Sequence, residues 1–172
     1  MSDHNATTGT ANAVYPTRND LPKATRSRLI GLLDARLAEA ADLQTQMKQA
    51  HWNVKGPNFI ALHELFDKVN EDVEDYVDDL AERVVQLGGV AHGTARQVAL
   101  RSTLPEYPSV RDGRDHVEAV TTALSAFGKL VRDAIDQSDR LGDKDTADLF
   151  TEISRGVDKW LWFIEAHLHA AR

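Results

Sequence analysis

Apolar side chains recur at three- and four-residue spacing over four long stretches of this 172-residue chain, and nowhere do they alternate as in a half-buried strand. A period near 3.6 makes each stretch a helix with one buried stripe, and the missing alternation excludes a sheet. The first runs from Pro22 to about Trp52, capped by Asn19 or Asp20, with Leu29, Leu32, Leu33, Leu37, Ala40, Gln44 and Met47 as its stripe. Asn53 to Pro57 breaks it. The second resumes near Asn58, carries Phe59, Leu62, Phe66, Val69, Val73, Tyr76, Leu80, Val84 and Leu87 on one face, and stops at Gly88-Gly89. The third spans about Ser109 to Ser138, with Val117, Val120, Leu124, Phe127, Leu130, Val131 and Ala134 as its stripe. Leu141-Gly142-Asp143 closes it, and Asp143 or Asp145 caps the fourth, which carries Ala147, Leu149 or Phe150, Ile153, Val157, Leu161, Ile164 and Leu168.

Four amphipathic helices of roughly 27 to 31 residues, each about 40 Å long, pack as one four-helix bundle. The short first and third turns make those pairs antiparallel neighbours. Residues 90–108 are too long for a plain loop and form the crossover, with a short helix at Thr94–Leu100. The expected fold is therefore all-α, a ferritin-like four-helix bundle with a long B–C crossover, covering residues 19–172 behind a polar N-terminal tail at 1–18.

Composition narrows the chemistry. With no cysteine, disulfides, thiolate metal sites and cysteine nucleophiles are excluded, and any metal must be held by the seven histidines and the carboxylates. No apolar run approaches the ~20 residues of a membrane span, and the first twenty residues lack the apolar stretch of a signal peptide, so the expected compartment is the cytoplasm. Acids outnumber bases 27 to 20, for a net charge of -7. That is the wrong sign for a protein that simply coats nucleic acid.

Two titratable pairs sit at i, i+4 on the second helix, His63 with Asp67 and Asp78 with Glu82. Each pair shares a face, and the eleven-residue step between them is about three turns, so all four side chains leave nearly one stripe. A helix this acidic could also display such pairs merely as solvated surface. Within one chain the pairs cannot share a metal, because Asp67 and Asp78 lie about 16 Å apart. They are, however, arranged symmetrically about the Asp72–Val73 bond. An antiparallel two-fold copy of the helix would set His63 opposite Glu82 and Asp67 opposite Asp78, making two identical shared sites. His51, near the end of the first helix, reaches a height similar to His63 across the Lys55-Gly56-Pro57 turn; a packed histidine beside Trp52 is the alternative. Two imidazoles and three carboxylates form a shell suited to iron, manganese or zinc. No Glu lies three residues before any His, so the Glu-x-x-His pairs of a di-iron site inside one bundle are absent.

The run His51-Trp52-Asn53-Val54-Lys55-Gly56-Pro57-Asn58-Phe59-Ile60-Ala61-Leu62-His63-Glu64-Leu65-Phe66-Asp67, continuing to Asp78-Asp79-Leu80-Ala81-Glu82-Arg83, resembles the signature of the Dps family of mini-ferritins. The likeness extends from Thr17-Arg18-Asn19-Asp20 to Trp160-Leu161-Trp162-Phe163-Ile164-Glu165. The resemblance implies a hollow homo-dodecamer built from two-fold dimers, acting as a ferroxidase and iron store that protects the cell and its DNA. Its intersubunit di-iron centres would oxidise Fe(II), preferably with hydrogen peroxide rather than oxygen, and lay down ferric mineral inside.

Carried onto this chain, the resemblance implies that His51, His63 and Asp67 come from one subunit and Asp78 and Glu82 from its mate, with iron as the metal and zinc or manganese able to stand in. It also sets Trp52 beside the centre as a sink for stray oxidising equivalents; an aromatic packed at the dimer interface is the other reading, and Trp160 and Trp162 are assigned to core or interface. Acids around the start of the fourth helix, Asp143, Asp145, Asp148 and Glu152 with Asp139 beside them, correspond to an acidic iron-access pore, Asp148 being the leading candidate; acids that complement a helix dipole are the alternative.

A nucleoid-compacting DNA-binding protein with secondary iron sequestration is the rival function. Its sequence mark would be a lysine-rich tail, and residues 1–18 contain no lysine, only Asp3 and Arg18 as charged side chains. The C-terminal His167-Leu168-His169-Ala170-Ala171-Arg172 adds one arginine and two histidines. DNA binding near neutral pH is therefore expected to be weak or absent, improving on acidification. A carboxylate-bundle oxygenase or catalase would need the missing Glu-x-x-His pairs.

Overall fold

A computed structural model describes residues 14–169 as five helices: α1 (Lys23–Asn53), α2 (Phe59–Gln86), α3 (Ala95–Arg101), α4 (Gly113–Arg140) and α5 (Lys144–Glu165), with no strand among the described residues. α1 pairs with α2 and α4 with α5 across short turns, and the two hairpins close face to face through α1 against α4 and α2 against α5. Phe66, Phe127 and Phe150 belong with Leu33, Leu37, Met47, Leu80 and Leu124 to one core cluster that runs along the bundle, all fully buried. No helix among the described residues is long and apolar enough to cross a membrane.

The crossover is the expected one, with α3 displaced by a single residue from its anticipated span. It lies along α1, and that explains why α1 buries charged residues that a simple amphipathic helix would expose. Asp34 accepts the backbone N–H and Nδ1 of His92, each at 3.0 Å, and pairs with Arg101 at 2.6 Å. Glu39 receives Arg36 in a two-pronged contact and the Thr103 hydroxyl at 2.6 Å. Asp42 takes the Ser102 hydroxyl, and Gln46 donates to the Pro105 carbonyl at 3.0 Å. Buried carboxylates with two or more donors each are satisfied, so this polar seam fixes where the strap lies.

Several local expectations are corrected. α1 has Pro22 at its N-cap and no side-chain cap; Asn19 instead accepts the Leu21 N–H in a local turn. Gln44 is only half-buried, and Leu43 takes the core position. Phe59 is exposed, because it is the first residue of α2 and leads the stripe rather than belonging to it. α4 starts four residues later than expected, where the Asp112 carboxylate accepts the Asp115 N–H. α5 has 22 residues and ends at Glu165, so Leu168 packs from a turn after the helix.

Of the tail, residues 1–13 lie outside the described residues. From Val14 onward the chain is already docked, with Tyr15 N–H donating to the Gly88 carbonyl at 2.7 Å. Gly88 makes that approach possible: its φ is 89°, and a Cβ there would sit 2.7 Å from the Tyr15 carbonyl oxygen. Gly156 plays a similar part inside α5, where the Tyr76 hydroxyl occupies the space a side chain would need.

Candidate metal centre

The last turn of α1 and the second turn of α2 face each other across the hairpin, and this sets His51 against His63. Their rings stack with centroids 3.7 Å apart. His51 Nδ1 lies 2.9 Å from the His63 backbone carbonyl, and His63 Nδ1 lies 2.9 Å from the His51 carbonyl. A carbonyl can only accept, so both Nδ1 atoms carry hydrogen and both Nε2 atoms are unprotonated in the neutral rings. This is how a metal-binding histidine is held in orientation and tautomer by an outer partner. The His51 carbonyl is available because it lies in the final turn of α1, where no later N–H reaches back.

Asp67, one turn beyond His63, completes this half of the site. Its Oδ1 lies 3.8 Å from His51 Nδ1 and accepts a 2.6 Å hydrogen bond from Lys48 Nζ. The Lys48 ammonium, hydrogen-bonded to it, holds the Asp67 carboxyl below its usual range; burial opposes this, and His51 and His63 add to the lowering. Asp78 and Glu82 follow on α2 as exposed side chains with no ion pair among the described residues. Within one chain, no three His, Asp or Glu side chains among the described residues converge where a metal could sit. Each chain thus presents an imidazole half and a carboxylate half, separated along α2.

Apolar residues left uncovered on the same face flank both halves. Ile60 is 60% exposed and Val85 59%, and Trp52, at the end of α1, is 67% exposed. A shallow hollow of about 410 Å³ beside Glu82 is lined by Ala81, Val85, Gln86 and Ala91. A larger one of about 700 Å³, beside the histidine half, is lined by Lys48, Trp52, Asn70, Glu74 and Tyr107 among others.

The acids near the start of α5 divide. Asp143 is removed from any channel lining: it is 4% exposed, caps α5, and is gripped by Arg83 Nη2 at 3.0 and 3.1 Å and by the Thr146 hydroxyl. Burial would raise its carboxyl, but Thr146 and Arg83 outweigh that and hold it below the usual range. Asp145, Asp148 and Glu152 are exposed, while Asp139 pairs with Lys144. Glu152 also faces the α2 acids: burial and then Glu152 push Asp79 up, and burial raises the Tyr76 hydroxyl to about 12. Trp160 is a core residue whose indole N–H donates to Asp72 at 2.7 Å, whereas Trp162 is exposed. Lys48, which contacts Asp67, is the residue of this candidate site that sequence reasoning missed. The available signal was its position three residues before His51, on the same face of α1.

Residues 30–172 match the family model described as "Ferritin-like domain". The "DNA protection during starvation protein" of Agrobacterium fabrum is 46% identical over 155 residues, covering 90% of this chain and 96% of that protein. The protein of the same name from Mycolicibacterium smegmatis is 36% identical over 148 residues, covering 84% of this chain and 79% of that one. Among solved structures, DpsA14 from Streptomyces coelicolor superposes with a TM-score of 0.89 at 33% identity, covering 94% of this chain and 96% of that one. By sequence and by fold, the chain belongs to the Dps family of ferritin-like proteins.

Proposed function

We propose that the protein is a ferroxidase and iron-storing mini-ferritin whose catalytic centres form between two-fold-related subunits of a cytoplasmic homo-dodecamer. His51, His63 and Asp67 of one subunit and Asp78 and Glu82 of its mate would bind the substrate iron. The observation that carries the proposal is the reciprocal bonding of His51 and His63, which spends both Nδ1 atoms on backbone carbonyls and leaves both Nε2 lone pairs for metal. The uncovered apolar residues support the same geometry. Ile60 and Val85 are symmetric about the Asp72–Val73 bond, as are Phe59 and Gln86, so the two-fold crossing that joins His63 to Glu82 also covers Ile60 with Val85.

In this centre the imidazoles favour capture of Fe(II) and the carboxylates favour the harder ferric product. Each of two Fe(II) ions gives one electron to one hydrogen peroxide, whose O–O bond breaks; with two waters the products are two ferric oxyhydroxide units and four protons. Paired delivery of two electrons releases no hydroxyl radical, so oxidation is also protective. Trp52 stands beside the imidazole half as a local reductant for stray oxidising equivalents. Asp145, Asp148 and Glu152 are the exposed acids that would draw iron toward the interior. The same nitrogen and oxygen set also accepts zinc or manganese.

The test is a stopped-flow measurement of ferric absorbance after mixing Fe(II) with peroxide. Replacing both His51 and His63 with Ala is expected to slow oxidation by about 100-fold or more, while size-exclusion chromatography shows the same assembly. Fast oxidation by the double variant would sink the assignment.

A further inference from the structure

Tyr107 and His116 form a pair that the iron chemistry above does not use. Tyr107, at the end of the crossover, is half-buried and packs on the core, while His116 is 1% exposed on α4. The Tyr107 hydroxyl lies 2.6 Å from His116 Nδ1, and the two ring planes are within 26° of parallel. Among the described residues it is the one tyrosine hydroxyl hydrogen-bonded to an imidazole. Burial favours the neutral His116 ring, so Nδ1 is an acceptor at rest; the Asn53 backbone, Asp112 and Asp115 favour the protonated ring, and Lys55 disfavours it. His116 Nε2 is buried and makes no hydrogen bond, so Tyr107 is the ring's one proton-sharing partner. Tyr107 also lines the hollow of about 700 Å³ beside the imidazole half of the centre, and Trp52 lines the same hollow. A phenol that gives up an electron must shed its proton as well, and a neutral imidazole within hydrogen-bond reach is the base for that transfer.

We propose that Tyr107 and His116 are a proton-coupled electron relay that drains oxidising equivalents from Trp52. The relay rests on the ferroxidase reading above, which supplies Fe(II), peroxide and the stray oxidant. A hydroxyl radical that escapes the paired oxidation of Fe(II) takes one electron from the Trp52 indole, giving hydroxide and an indole radical cation. The radical cation takes one electron from Tyr107 as the phenolic O–H bond breaks and an N–H bond forms at His116 Nδ1. Trp52 is restored; a neutral tyrosyl radical and an imidazolium remain, so one positive charge stands on each side of the step. Asp112 and Asp115 steady that imidazolium. An electron from a later Fe(II) and the proton held on His116 then restore Tyr107. The sum is hydroxyl radical and Fe(II) giving hydroxide and Fe(III), with no side chain consumed.

The transfer is tested without iron by pulse radiolysis of the full-length protein, in which azide radicals oxidise tryptophan and time-resolved absorbance follows the indolyl and tyrosyl radicals. Each protein carries Trp162→Phe, so that Trp52 is the exposed indole. With Tyr107 and His116 intact, decay of the indolyl radical is expected to match growth of a tyrosyl radical. Tyr107→Phe keeps the ring and is expected to lose that growth and leave the indolyl radical long-lived. His116→Gln still accepts the hydrogen bond but takes no proton, and it is expected to slow the growth severalfold. A tyrosyl radical that persists in Tyr107→Phe, or that grows equally fast in His116→Gln, overturns the relay. Its protective use is read by mass spectrometry after Fe(II) and excess peroxide: Tyr107→Phe is expected to show severalfold more hydroxylated Trp52 than wild type. Equal hydroxylation in proteins that both oxidise Fe(II) rapidly overturns that use. The ferroxidase reading fails separately, by the absence of fast ferric absorbance in wild type, and the radiolysis result stands apart from it.

Discussion

His116 shows how a single side chain ties three parts of the molecule together. It is 1% exposed on α4, and its Nδ1 lies 2.6 Å from the hydroxyl of Tyr107 at the end of the crossover. Burial raises the Tyr107 hydroxyl, which stays protonated and donates to the ring. Burial also lowers the His116 imidazole; the Asn53 backbone first, then Asp112 and Asp115, oppose that, and Lys55 adds to it. A histidine with a depressed folded value binds fewer protons folded than unfolded. As pH drops below the ordinary imidazole value near ~6.5, unfolding is therefore favoured, and the loss continues until the folded value is passed. The thermal midpoint is expected to fall between pH 7 and 5. His116→Gln, which keeps an acceptor for Tyr107, is expected to flatten that slope, measured by circular dichroism; equal slopes in both proteins would assign the acid sensitivity elsewhere. His51 and His63, the two histidines of the proposed centre, differ from His116 in what they bond: backbone carbonyls fix their tautomer and leave each a ring nitrogen free of those bonds.

At the scale of the element, α2 has three faces with three tasks. One is core, one receives Lys159 and Trp160 of α5 at Asp72, and one carries the carboxylates of the proposed centre flanked by Ile60 and Val85. Placing a charge on the apolar flank tests the crossing without touching a ligand. Ile60→Asp is expected to break the assembly into smaller species at micromolar concentration, since two buried isoleucines per two-fold contribute about 3 kcal/mol or more. Ile60→Leu is expected to assemble as wild type, and light scattering distinguishes the two. Intact assembly of Ile60→Asp would remove the antiparallel crossing. The symmetric spacing of His63, Asp67, Asp78 and Glu82 is legible in the sequence because helical rise and twist convert residue number directly into position. The mutual bonds of His51 and His63 are not legible, because they involve backbone carbonyls whose placement depends on how the hairpin closes. Asp143 shows the same limit from the other side. As a helix N-terminal acid it reads as exposed, yet Arg83, sixty residues earlier, folds over it. Buried charges on α1 were hidden for a related reason: the partners of Asp34 and Glu39 come from the crossover, which has no periodic pattern to announce where it lies.

For the whole molecule the decisive quantity is charge. Each chain carries -7, and the proposed assembly of twelve would multiply it. Binding to a duplex is driven by release of counterions from phosphates as Lys and Arg neutralise them, so a strongly negative shell needs its cations gathered in one place. They are not gathered at the start of the chain: residues 1–18 have Arg18 as their one cation, balanced by Asp3, with His4 beside it. Docking of Tyr15 on Gly88 further holds the root of this segment against the body of the bundle. At the other end the sequence places two histidines, His167 and His169, close to Arg172, which lies outside the described residues, and histidine is the side chain type that gains charge on mild acidification. The protein is therefore expected to leave plasmid DNA unretarded in a gel at pH 8 and about 150 mM salt, and to begin retarding it near pH 6. His167→Gln with His169→Gln is expected to abolish the low-pH retardation while Fe(II) oxidation is unaffected, because neither residue belongs to the proposed centre. Retardation at pH 8 would mean that cations scattered along the sequence are brought together in the proposed assembly, and that direct contact with DNA stands beside the proposed removal of iron and peroxide.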